Sequence, residues 1–242
     1  MDFNERTLLL IGDENYQKLH QSHVLVAGLG GVGAYAAEML CRAGVGKLTI
    51  IDADVISSSN RNRQLIALTS TIGLSKSALM AQRLKDINPA IELIVIDHYL
   101  TEDNIEPLFI ENNYDYVVDA IDTIAPKVSF IFMALKYKNR LVSAMGAGGK
   151  LDPSMIEVEE IEKTSLCRLA FIVRKRLHKL GVREGFKAVY SKEIVPKSAI
   201  SINEVQEKNK LTTVGTISYM PAMFGCYAAS VVIRDLQVCF KQ

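Results

Sequence analysis

Short apolar runs alternate with helix-spaced stretches through the first 150 residues. His23–Leu29 (HVLVAGL) is a continuous apolar run ending in glycines, and Gly33–Ala43 follows with Ala36, Ala37, Leu40 and Ala43 on one helical face. Lys47–Asp52 predicts a second strand, and Lys76–Asn88 a helix that Pro89 stops. Ile91–Asp97, Tyr116–Asp119 and Leu141–Ala144 continue the strands, with a helix over Pro126–Lys138 between the last two. Strands apolar at every position are covered on both faces. The pattern therefore predicts an α/β fold, a Rossmann-like and mostly parallel sheet with helices on both sides. Such a sheet binds its ligand beyond the carboxyl ends of its strands.

After residue 150 the rhythm changes, which divides the chain into a core over 1–150 and a C-terminal α/β extension over 151–242 packed on it. Met155–Ile161 alternates like a half-exposed strand, Cys167–Leu180 is a strongly basic helix, and Val189–Tyr190 begins another strand. Lys197–Lys210 is polar and aperiodic and predicts a mobile loop. Leu211–Ile233 carries no charge and is long enough to cross a bilayer. Its threonines, glycines and Pro221 favour a buried helix over Pro221–Leu236 instead, without a stable membrane span.

Composition adds little. The net charge of +1 requires any basic surface to be local. Cys41, Cys167, Cys226 and Cys239 form no Cys-x-x-Cys pair, so neither a zinc knuckle nor a disulfide framework is expected. A reduced, cytoplasmic location follows, and the charged N-terminus is not a signal peptide.

The chemistry begins at Gly28-Leu29-Gly30-Gly31-Val32-Gly33, between a strand and a helix. Such a loop lets backbone N–H groups approach a phosphate at a helix N-terminus. Asp52 ends the next strand, where a carboxylate can bind ribose hydroxyls. These features fit a nicotinamide dehydrogenase and a nucleotide-activating enzyme equally well.

Ser59-Asn60-Arg61-Asn62-Arg63-Gln64 follows Asp52 and Asp54, and Lys76 lies thirteen residues beyond Arg63. A dehydrogenase has no need of these cations. Attack at the α-phosphorus of a nucleoside triphosphate does, because phosphate charge must be clamped and pyrophosphate neutralised. Asp119 and Asp122 end the Tyr116 strand, and one of them can hold Mg²⁺ against the phosphates.

Taken in order, Gly28–Gly33, DADVISSSNRNRQ (Asp52–Gln64), Lys76 and DAIDT (Asp119–Thr123) resemble the adenylation site of the ubiquitin-activating-like adenylyltransferases of the ThiF, MoeB and HesA type. The resemblance implies that residues 1–150 bind ATP with Mg²⁺. Asp52 would hold ribose, Asn60, Arg63 and Lys76 the phosphates, and Asp122 the metal. Gly28, Gly30, Gly31, Gly33, Asp54 and Gln64 would complete the nucleotide site. Asn4–Leu9 (NERTLL) is similar to the family segment whose arginine enters the partner subunit's ATP site, which implies a homodimer with Arg6 acting in trans.

Sulfur-carrier activators in that family carry paired zinc cysteines, absent here. GAGGKLDP (Gly146–Pro153), EIEKTSLCRLA (Glu160–Ala170), RKRLHKLGV (Arg174–Val182), AVYSKE (Ala188–Glu193) and the Gly215–Leu236 segment resemble instead the tRNA threonylcarbamoyladenosine dehydratase branch. Arg168 departs from it where proline is expected. That branch implies adenylation of the modification's carboxylate at position 37 of tRNA, ring closure with loss of AMP, and sulfur-transfer proteins as possible partners. Arg174, Lys175, Arg176, His178, Lys179, Arg183 and Lys187, opposed by Glu184, independently offer a phosphate-backbone footprint or a solvated helix face. Cys167, just before that helix, reads as a packed cysteine. Two alternatives remain. One is an enzyme adenylating the C-terminal glycine of a ubiquitin-like carrier; the other is a nucleotide-binding module without turnover.

Overall fold

The computed structural model describes residues 3–207 and 210–237, so Cys239 lies outside the described residues. Strands β1 (His23–Ala27), β2 (Lys47–Ile51), β3 (Glu92–Ile96), β4 (Tyr116–Asp119), β5 (Leu141–Ala144), β6 (Ile156–Glu160) and β7 (Lys187–Ser191) build one sheet in the order β3-β2-β1-β4-β5-β7-β6. All neighbours are parallel except β6, which pairs antiparallel with β7 at the edge.

Successive side chains of a strand point to opposite faces, and β1 shows the consequence. Val24 and Val26 enter one apolar cluster, with α2 (Gly33–Ala43), α3 (Lys76–Ile87) and α7 (Tyr219–Leu236). Leu25 and Ala27 enter the other, with α4 (Glu102–Glu111), α5 (Ile124–Lys136) and α6 (Arg168–Lys179). The expected two-sided parallel sheet is thus present. The strands of the second half, β6 and β7, extend the same sheet rather than forming their own. From β1 the chain steps to β2 on one side, while β4 pairs on the other. A topological switch point therefore falls between β1 and β4, where ligands of such sheets bind.

Two helices had no counterpart in the periodicity. One is α1 (Glu5–Gln21), whose backbone breaks at Gly12 and whose Leu9 and Leu10 face outward. The other is α4, which carries Pro107 inside. The loop expected over Lys197–Lys210 is a correction. Residues Ile200–Glu207 and Lys210–Val214 form an antiparallel pair, β8 and β9, with an irregular register between Ile202 and Glu207. Pairing between the two segments satisfies backbone groups that neither segment's polar sequence advertises. The uncharged stretch is helical from Tyr219, with Pro221 in the first turn where its missing N–H costs nothing. Among the described residues, no helix is long and apolar enough to cross a membrane.

Candidate active site

The glycine loop leaves β1 and closes on itself before α2. A side-chain carbon on Gly33 would stand 1.7 Å from the carbonyl oxygen of Gly28, so only glycine fits there. No side chain caps the start of α2. Its orphan N–H groups and dipole therefore face the carboxyl edge of the sheet as an anion site.

Asp52, one residue past β2, binds this loop directly. Its Oδ2 accepts from the Leu29 N–H at 2.7 Å, and its Oδ1 from the Asp54 N–H at 2.8 Å. Burial raises this carboxyl above its ordinary value, against the pull of nearby Lys76. Lys76 opens α3 and is almost wholly buried. Its Nζ donates to Asp54 Oδ2 at 3.0 Å. Asp54 Oδ1 accepts from the Tyr99 hydroxyl at 3.0 Å, so Asp54 holds the lysine as well as bordering the site. Ser75, which caps α3, donates to Asp97 at 3.1 Å, so the segment after β3 grips both sides of the lysine.

A short helical turn at Ser58–Asn60 carries the second cation. Asn60 is nearly buried, and its Oδ1 accepts from the Ser57 N–H at 3.2 Å; its side chain shapes the turn. Its carbonyl accepts the N–H groups of Arg63 and Gln64. Arg63 donates from Nη1 to the Ser59 carbonyl at 2.9 Å and to Asn62 Oδ1 at 2.8 Å. Burial lowers the Arg63 guanidinium below its ordinary value, and the nearby Asp122 carboxylate opposes that. Gly31 faces Arg63 and Pro221, and Gly30 faces the Gln64 amide. The Gln64 Oε1 is buried without a hydrogen-bond partner beside this bare backbone. An orphaned acceptor against a side-chain-free cradle suits a ligand bearing hydrogen-bond donors.

The two aspartates after β4 separate cleanly. Asp119 is fully buried, with Oδ2 at 2.7 Å from Lys127 Nζ and 2.5 Å from Ser143 Oγ. Its Oδ1 accepts from the Ile121 N–H at 3.1 Å. Both oxygens are engaged inside the protein with no solvent exposure, so Asp119 is an internal strut. Asp122 is exposed on the turn that Asp119 holds. Sequence reasoning missed Lys127 and Tyr99. The one available signal for Lys127 was a lone cation in the apolar helix PKVSFIF.

Arg6 lies exposed near the start of α1, on none of the elements that carry the site. The basic cluster on α6 also needs correction. Arg174 points inward, donating to the carbonyls of Ile161 and Thr164 and to the Thr164 hydroxyl. Lys187 binds Asp235 at 2.7 Å, and His178 contacts Glu162 at 3.3 Å. Lys175, Arg176, Lys179 and Arg183 remain exposed. Cys167 is buried as expected, and Lys150 lies near it. Burial lowers the Lys150 ammonium, which donates to the carbonyls of Ser191 and Glu193.

The chain is similar to known proteins over nearly its whole length. The chain is 37% identical over 96% of its length to the tRNA threonylcarbamoyladenosine dehydratase of Bacillus subtilis, covering 93% of that relative. It is 41% identical to the protein of that name from Escherichia coli, over 71% of this chain and 63% of that one. The crystal structure of the Escherichia coli dehydratase in complex with ATP superposes with a TM-score of 0.87 at 34% identity, covering 96% of this chain and 93% of that one. Residues 4–240 match the ThiF family, and the chain belongs to it.

Proposed function

We propose that this protein is an ATP-dependent tRNA threonylcarbamoyladenosine dehydratase. The observation that carries the reading is the convergence of Asp52, Arg63 and Lys76 on the glycine loop at the switch point of the sheet. Similarity to dehydratases along nearly the whole chain supports it over activation of a carrier protein.

In this reading Asp52 accepts hydrogen bonds from the ribose, and the α2 N-terminus with Gly28–Gly33 receives phosphate oxygens. Arg63 and Lys76 balance charge as the substrate carboxylate attacks the α-phosphorus and pyrophosphate leaves. A second oxygen of the same modification then closes on the activated carbonyl and AMP departs, so one water is lost overall. The protein orients and neutralises, and no nucleophile of its own is required.

Among the described residues, no three His, Cys, Asp or Glu side chains could hold a metal together. Mg²⁺ commonly needs only one or two carboxylates beside substrate phosphates, and Asp122 near Arg63 fits that donor set. Bound there, it would neutralise phosphate charge. Exposed Leu9 (81%) and Leu10 (75%) beside Arg6 support a surface that a second copy covers, with Arg6 serving the partner's site. Lys175, Arg176, Lys179 and Arg183 in the second half would meet the tRNA backbone. The cytoplasmic location and sulfur-transfer partners belong to the same reading.

The deciding assay supplies purified protein with ATP and either threonylcarbamoyl-modified tRNA or a carrier protein ending in Gly-Gly. AMP release with tRNA, and loss of the mass of one water at position 37 by mass spectrometry, is expected. Pyrophosphate release with the carrier alone, and none with the tRNA, would overturn it.

A further inference from the structure

A groove of about 300 Å³ lies between α5 and α6. Ala125, Val128, Phe132 and Met133 come from one face of α5, and Arg176 and Leu180 from α6. Ser129 and Glu102 also border it. Ala125 stands three residues beyond Asp122, so their Cα atoms are within about 11 Å of each other. The groove thus begins beside the turn that carries the candidate metal carboxylate.

Its chemistry is mixed in a particular way. One wall is aromatic and thioether, and the other ends in a guanidinium. Lys175, Lys179 and Arg183 flank Arg176, and among the described residues none of the four is in an ion pair. Leu180, at the end of this helix, is also exposed. A solvated helix face would not gather these apolar side chains. An acidic peptide would satisfy the cations without using the apolar wall. An unstacked nucleotide uses both, with its base on the apolar side chains and its phosphate on the guanidinium.

We propose that the groove between α5 and α6 holds a nucleotide flanking the modified adenosine of the RNA substrate, its base against Phe132 and Met133 and its phosphate on Arg176. This rests on the tRNA reading above. The groove fixes the register of the loop, and so which adenosine reaches Asp122.

The test uses anticodon stem-loops carrying threonylcarbamoyladenosine, intact or abasic at one flanking position at a time. Affinities are measured by anisotropy for the wild type, Arg176→Ala, and two groove-filling variants, Ser129→Trp and Leu180→Trp. ATP binding by calorimetry, expected unchanged in all four, verifies the fold. At one flanking position the abasic loop should bind the wild type about tenfold more weakly, the scale of one stacked base. The filled variants should be weakened on the intact loop and indifferent to the abasic change. Arg176→Ala should lower the slope of log affinity against log salt by about 1. Equal abasic penalties in filled and wild-type proteins, or none at any position, would overturn the groove while leaving the tRNA reading in place. Tight binding of polyglutamate without discrimination among loops would assign the groove to an acidic protein instead. A wild type that binds no loop at low salt removes the tRNA reading itself.

Discussion

Replacing Lys127 with methionine isolates the buried strut from the chemistry it supports. The substitution keeps the unbranched stem as far as the ε position and removes the charged Nζ. Asp119 Oδ2 then loses its 2.7 Å partner and retains Ser143, while the carbonyls of Ile121 and Ala144 lose donors at 3.1 and 2.8 Å. Both side chains of the pair have no solvent exposure, so water cannot replace the ammonium. Breaking a buried pair on one side costs about 3–5 kcal/mol. A chain of this size loses roughly 2–4 °C of Tm per kcal/mol, which gives a fall of roughly 6–20 °C. Adding Asp119→Asn removes the stranded charge and should restore part of the loss, because a neutral replacement of both partners is far cheaper. The assay is thermal and urea unfolding of the four proteins in a double-mutant cycle, with a coupling above about 1 kcal/mol expected. A Lys127→Met Tm within about 2 °C of wild type, or a double variant equal to the sum of the singles, would refute the argument.

The remaining predictions concern the surface of the site. Asp122→Ala and Lys76→Ala should abolish ATP turnover, with Asp122→Ala, at an exposed position, changing stability by less than about 0.5 kcal/mol; turnover in both variants would remove the assignment. Burial raises the Asp52 pKa, and the proposed hydrogen bonds from ribose would need its ionised form. The ATP-affinity advantage of wild type over Asp52→Asn should therefore shrink as pH falls through the upper carboxylate range, and a constant ratio would contradict this. Mixing Arg6→Ala with Asp122→Ala subunits should regain activity in confirmed mixed dimers that neither parent shows, and none would count against action in trans. Arg174→Ala should lower thermal stability, while Lys179→Ala should flatten the salt dependence of tRNA binding by about 1 without moving Tm; the reverse pattern would undo the division of α6 into inner and outer cations.

Much of the architecture was legible because buried parallel strands are apolar without interruption. β4 and β5 ended where their patterns did, and α2 began at Gly33 as its spacing required. The β8–β9 pair was not legible, since its stabilisation comes from a partner segment rather than from periodicity within either strand. For the candidate site, residue type and spacing pointed to Asp52, Arg63 and Lys76, and the fold gathers these three near the glycine loop. Type and spacing could not divide Asp119 from Asp122, which depends on the three-dimensional arrival of Lys127 and Ser143. Nor could spacing reveal that Arg174 turns inward: a helical repeat identifies which residues share a face, but not what that face meets.

The packing of α7 against the start of α2 bears on how the protein comes into being. A side-chain carbon at Gly225 would lie 2.4 Å from the Val32 carbonyl oxygen, and one at Gly31 would lie 2.9 Å from Pro221. The wall behind the glycine loop is therefore made by residues synthesised about 190 positions after it. At roughly 5–20 residues per second, a ribosome holds the loop unsupported for about 10–40 s. During that interval the nascent chain has its glycine loop but not the helix that braces it. ATP should be of little help to folding until α7 has emerged, and a cell that stalls translation before Pro221 accumulates chains that ligand cannot rescue.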